Sequence, residues 1–169
     1  MATFEYAPAP ESRAVVDIAS SYGLFIDGEF VDGTGTTMKS INPATEEVLA
    51  EISVASEADV DRAVKAARRA YTRVWSKTSG AERAKYLFRI ARLVQERSRE
   101  LAVLESLDNG KPIKESRDVD LPLVAAHFFY YAGWADKLEH AGFGPDPKPL
   151  GVAAQVIPWN FPLLMLAWK

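Results

Sequence analysis

Apolar positions recur along this chain at several spacings, and each spacing predicts a different element. Leu24-Phe25-Ile26 and Glu29-Phe30-Val31 flank Asp27-Gly28, the pair that best tolerates the positive φ angles of a two-residue hairpin turn. A β-hairpin is therefore expected over 24–31. Asp32-Gly33-Thr34-Gly35 then predicts a loop and Asn42-Pro43 a turn, before a second extended stretch from Val48 to Val54.

Beyond residue 55 the period changes to that of a helix. Ser56 offers a hydroxyl at an N-cap and Asp59 a carboxylate three residues later, and Val60, Ala63, Val64, Ala67, Ala70, Tyr71 and Val74 follow at helical spacing. The other face carries Arg62, Lys65, Arg68, Arg69 and Arg73, which suits a solvated surface better than an anion site. Ser79 with Glu82 opens a second helix whose buried face includes Leu87, Ile90, Ala91 and Val94. That helix is expected to run on, allowing one break, through Leu101 and Leu104 to Asn109-Gly110, where positive φ is inexpensive. A third helix, from about 118 to 139, has Phe128, Phe129, Tyr130, Tyr131 and Trp134 almost all round and is expected to be buried on most sides.

Residues 141–150 hold three prolines and two glycines and are expected to be a linker between substructures. The continuous apolar run Val152 to Ile157 that follows suits a strand buried on both faces, as in a parallel sheet. The resulting division is an arm over 1–23, a hairpin and helical part over 24–140, the linker, and the start of an α/β unit over 151–169.

Composition narrows the class. With 169 residues, 48% of them hydrophobic, there is enough apolar material for a buried core. Twenty basic against 23 acidic residues leave a net charge of -3, which makes nucleic acid an unsuitable partner. The first ten residues lack a basic and then apolar signal pattern, so a cytoplasmic location is expected. The uncharged run 121–135 is too short to span a bilayer, and 150–168 is interrupted by Pro158, Asn160 and Pro162, so no membrane partner is expected. His127 and His140 have no second ligand at helical spacing, and no metal site is expected. The chain contains no cysteine, so it encodes neither a disulfide nor a thiolate nucleophile.

The chemistry concentrates in the stretch from Gly151 to Lys169. A strand leads into Pro158-Trp159-Asn160-Phe161-Pro162, a turn stiffened by two prolines, and Pro162 fits the first turn of a helix, where its missing N–H costs nothing. Asn160 thus falls at the carboxyl end of a strand, where open α/β sheets bind ligands, and its amide can donate to an oxyanion. Spacing alone favours the simpler role of capping the helix or satisfying the turn.

This stretch resembles the signature that opens the cofactor-binding domain of the NAD(P)-dependent aldehyde dehydrogenases. The likeness extends upstream through FIDGEFVDG, INPATEEVLAEI, LESLDNGKP and YYAGWADK, in family order, and so covers nearly everything from Leu24 to Lys169. It implies an α/β fold: an N-terminal β-hairpin and helical layer leading into the first strand and helix of a Rossmann-like domain. It matches Asn160 to the asparagine that stabilises the oxyanion formed when a cysteine thiolate attacks the aldehyde. Val156, Ile157, Pro158 and Trp159 match positions lining the nicotinamide half of the cofactor pocket. Lys169, grouped with them as cofactor-binding, matches a lysine close to the active site that is linked in some members to proton relay. Asp108 matches an aspartate that can lie near a monovalent cation in relatives, with a helix C-terminal hydrogen bond as the equal alternative.

The implied reaction is oxidation of an aldehyde to an acid with NAD or NADP, through a cysteine thiohemiacetal and a thioester, in an enzyme expected to be a homo-oligomer. Neither the cysteine nor the glutamate-base motif lies in these residues, and the apolar helix that reaches Lys169 without a polar landing is expected to mark a truncation, inactive by itself. The family's longer β-hairpin between Asp136 and Leu150 is reduced here to a Pro/Gly linker. A non-catalytic scaffold or oligomerisation module derived from the same fold, and an acylating or semialdehyde relative, remain as alternatives.

Overall fold

The computed structural model describes residues 11–144, 147 and 149–169. A 3-10 turn (Arg13–Val15) precedes five short strands: β1 (Ser21–Tyr22), β2 (Leu24–Ile26), β3 (Glu29–Val31), β4 (Thr37–Ile41) and β5 (Val48–Ser53). β2 and β3 form the expected hairpin, with Phe25 opposite Phe30 and their rings 5.0 Å apart. Asp27 and Gly28 take φ of 59° and 88°, the pair of positive values that a type I′ turn requires.

Two strands escaped the hydrophobic pattern. β5 is central in a three-stranded sheet, parallel to β1 and antiparallel to β4. β4 is almost wholly exposed and reads Thr-Met-Lys-Ser-Ile, so no buried face imposes an alternation on it. β1 lies inside the stretch expected to be an arm, and its two residues are too few to carry a period.

Of the helices, the first two begin at the caps expected for them. α1 (Glu57–Arg73) begins in a reciprocal capping box between Ser56 and Asp59. Asp59 is fully buried, and its Oδ2 also accepts from the Thr34 N–H at 2.9 Å, which fastens the 32–35 loop to the helix. The backbone N–H groups of Ser56 and Thr34 hold this carboxyl far below the usual carboxylate range. On the basic face Arg62 pairs with Asp59, Lys65 with Asp61 and Arg69 with Asp27.

α2 (Gly80–Glu96) and α3 (Ser98–Asn109) are separated by one break at Arg97. The Ser79 hydroxyl accepts from the Glu82 N–H, while the Glu82 carboxylate turns instead to Lys85. A short α4 (Ile113–Glu115) widens into a π turn (Ser116–Asp120) and continues as α5 (Leu121–Trp134). After a 3-10 turn (Leu138–His140), α6 (Pro162–Trp168) begins, as expected, with proline in its first turn.

The core lies where α2 packs on α5. Ala84 and Ala91 on one helix face Val124, Ala125 and Ala132 on the other among fully or nearly fully buried residues. Small side chains let the axes approach closely, and Gly80 sits against the Ala135 carbonyl, where a Cβ would collide with backbone. α5 is not buried on most sides: Tyr130 and Tyr131 are more than half exposed, because α2 and α6 cover only the face that carries Leu121, Val124, Ala125 and Ala132. His127 hydrogen-bonds through Nδ1 to the Leu123 carbonyl at 2.8 Å and lies against Trp168, while His140 pairs with Glu139. Among the described residues, no helix is long and apolar enough to cross a membrane.

The run 152–157 departs from expectation. It lies outside every helix and strand, and Val156 is 85% exposed. A parallel strand needs neighbours to satisfy its backbone, and none of the strands among the described residues pairs with it. Of the expected linker, residues 141–144, 147, 149 and 150 are irregular, and 145, 146 and 148 lie outside the described residues.

α3 stops at Gly110, whose φ of 77° is left-handed and whose Cα faces the Pro43 ring. A Cβ here would approach Pro43 Cγ to 2.6 Å as well as forcing the unfavourable φ. Gly110→Ala is expected to lower stability by about 1–3 kcal/mol in urea unfolding, from the backbone strain alone.

Candidate functional site

The turn from Pro158 to Pro162 sits where α3, the start of α5 and α6 converge. Trp159 and Asn160 occupy the turn and Phe161 is the N-cap of α6, without any side-chain cap bond. Asn160 is exposed and is not the N-cap of that helix, so of the two simpler roles that spacing favours, capping is not the one it plays. Val156 and Trp159 are 85% and 81% exposed, forming an apolar strip beside it. Ile157 turns inward instead and, with Pro162, Leu163 and Leu166, lines a cavity of about 550 Å³ against β5 and α3.

Lys169 returns to the same segment. Its Nζ donates to the Val156 carbonyl, closing the loop between the end of α6 and the residues before the turn. The structure thus brings Val156, Ile157, Pro158, Trp159, Asn160 and Lys169 into one region. Asp108, in the last turn of α3, lines the same cavity as Ile157 and accepts from the Ser40 hydroxyl of β4 at 2.5 Å, a long-range contact and not the helix C-terminal hydrogen bond expected as the alternative to an ion contact.

Three residues behind the turn were not singled out from the sequence. Lys111, only 12% exposed, pairs through Nζ with Glu105 at 3.3 Å and with Asp120, and the same ammonium stands 3.8 Å above the Phe161 ring. Asn109, two residues back, donates from Nδ2 to the Trp159 carbonyl at 3.4 Å and accepts the Lys111 N–H at 2.8 Å. A signal for this cluster was present: Glu105 falls three residues after Ala102, on the buried stripe of α3 where an acid needs a partner.

The charges do not balance. Two carboxylates face one ammonium, and Glu105 Oε2 has no hydrogen-bond partner among the described residues. Burial, followed by the neighbouring Asp120 carboxyl, raises the Glu105 pKa to about 6, against the smaller opposing effect of Lys111. The raised value means that the folded protein holds this proton more tightly than the unfolded chain. Stability contributed by the neutral form is therefore present below pH 4.5, declines between 4.5 and about 6, and is lost above that. Denaturation across this window should show a fall on the order of 1–2 kcal/mol from this group, and Glu105→Gln should remove that slope. An identical pH profile in the variant would contradict the assignment.

The model of the aldehyde dehydrogenase family matches residues 30–169. Aldehyde dehydrogenase family 2 member B4, a mitochondrial protein of Arabidopsis thaliana, is 47% identical over 156 residues, 86% of this chain and 29% of its own. An NAD(P)+ aldehyde dehydrogenase of Saccharomyces cerevisiae is 41% identical over 164 residues, 91% of this chain and 32% of its own. An NAD+ complex of aldehyde dehydrogenase from Bacillus cereus superposes with a TM-score of 0.76 at 39% identity, covering 88% of this chain and 32% of that one. The chain spans about a third of the length of the curated relatives it matches. The strands and helices described above are the N-terminal region of that α/β fold, and the chain belongs to the aldehyde dehydrogenase family.

Proposed function

We propose that this chain supplies the N-terminal part of an enzyme that oxidises an aldehyde to a carboxylic acid with NAD(P)+, and that Asn160 is its oxyanion donor. The observation that carries this is the Asn160 amide itself: it is exposed, is not used as a helix cap, and stands on a turn held from behind by α3 and in front of α6. A donor contributes to an acyl-transfer barrier only when its position is set before the reaction begins.

The exposed apolar strip of Val156 and Trp159 fits the nicotinamide half of the cofactor, which offers a flat ring for such a surface to cover. When bound, NAD(P)+ supplies the hydride acceptor. Val156, Pro158 and Trp159 would hold it, Ile157 would support them from the cavity behind, and Lys169 would fix the segment through its bond to the Val156 carbonyl. Asn160 would donate its side-chain N–H to the carbonyl oxygen as that oxygen gains negative charge. The thiol that attacks the aldehyde carbon comes from outside these 169 residues, which contain no cysteine, and so does the base that activates water against the acyl group.

Two measurements test this. The 169-residue chain mixed with NAD+ and an aldehyde is expected to give no NADH above blank. In the longer protein carrying this chain, Asn160→Ala is expected to lower kcat about 100- to 1000-fold with little change in the KM for the dinucleotide. Turnover by the isolated chain, or wild-type kcat in the variant, would overturn the proposal. A protein with no dehydrogenase activity and intact folding would favour a scaffold role.

A further inference from the structure

We infer that Lys111 is a positioning residue for Asn160, acting through the ring of Phe161. The inference rests on the oxyanion role proposed above for Asn160. Among the described residues no side-chain hydrogen bond orients Asn160 within the turn, and α6 begins without a side-chain cap. The constraint comes from its two neighbours. The Trp159 carbonyl accepts from Asn109 Nδ2 at 3.4 Å, and the Phe161 ring lies 3.8 Å beneath the Lys111 ammonium. Both anchors come from one short turn, Asn109-Gly110-Lys111, so Asn160 is held on either side by the same piece of backbone.

Lys111 suits this task because its ammonium and its backbone are both held. Glu105 on α3 and Asp120 at the head of α5 grip its Nζ from two directions, and the Asn109 side chain accepts its backbone N–H. An ammonium withdrawn from water attracts an aromatic face more strongly than an exposed one. Phe161 is 38% exposed, so burial alone constrains its ring only in part. A cation of either type can serve, which separates this role from space filling: arginine should substitute at position 111 and methionine should not.

The test uses the isotope-labelled 169-residue chain and needs no turnover. In the wild type, the Lys111 side-chain methylene protons next to the ammonium should be shifted upfield by the Phe161 ring. The backbone order parameter at Asn160 should be close to that of ordered structure, about 0.85. Phe161→Leu removes the ring at a half-exposed position and leaves the ion cluster intact. The combined variant E105Q/K111M/D120N removes the cation without leaving a buried charge unpaired. Both should lower the Asn160 order parameter to about 0.6 or less while circular dichroism stays native, and Lys111→Arg should retain the wild-type value. Native order at Asn160 in Phe161→Leu and in the combined variant would overturn the inference. Rescue by K111M as complete as by K111R would also overturn it. If Asn160→Ala proves harmless in the longer enzyme while these order parameters respond, the oxyanion assignment fails and the mechanical link stands.

Discussion

The Lys111 ammonium is the point at which α3, α5 and the Pro158–Pro162 turn are made to agree. It is almost fully withdrawn from water between Glu105 and Asp120, with an aromatic ring on its remaining side. Desolvating three charges is costly, and the mutual attraction offsets that cost only when each partner is fixed in place. The surrounding structure provides the fixing. Glu105 is set by the buried stripe of α3, Asp120 by the π turn that leads into α5, and Lys111 itself by the left-handed turn at Gly110. Without those constraints the cluster would be a liability. With them, it transmits the rigidity of two helices to a turn that has little hydrogen bonding of its own.

The same cluster explains why a proton-sensitive group lies so near the candidate site. One ammonium cannot neutralise two carboxylates, and burial penalises the excess negative charge. Glu105 carries the difference, holding its proton to about pH 6, while Asp59 shows the opposite outcome elsewhere in the fold. Asp59 is equally hidden but receives two backbone N–H groups, two hydroxyls and Arg62, so its ionised form is the favoured one. Burial alone therefore does not decide a carboxylate's state; the number of donors it meets does.

Much of the fold was legible because local chemistry and long-range packing coincide. Asp27-Gly28, Ser56 with Asp59 and the stop at Gly110 are each set by φ preference or by orphan backbone groups within a few residues. β1 and β4 were missed because they are short or exposed, and their pairing is decided by β5 at a distance. The helical stripe on α5 was overestimated because its aromatic residues are distributed all round while its neighbours cover one face. At the site, the Pro-Trp-Asn-Phe-Pro turn was visible through its two prolines. Of the supports behind it only Glu105 left a signal, an acid on the buried stripe of α3, because Lys111 and Asp120 reach it through a helix end and a turn that no periodicity describes. The run 152–157 has the composition of a central strand, yet composition cannot supply the neighbours that would make it one.

A charged lysine that is buried and held on every side can be observed directly. A nitrogen-edited spectrum of the lysine ammonium groups near neutral pH should show Lys111 as a slowly exchanging signal, while exposed lysines such as Lys65 and Lys85 are lost to rapid exchange with water. A Lys111 ammonium exchanging as fast as those two would mean that the cluster is open to solvent, and would contradict the arrangement on which the rest depends.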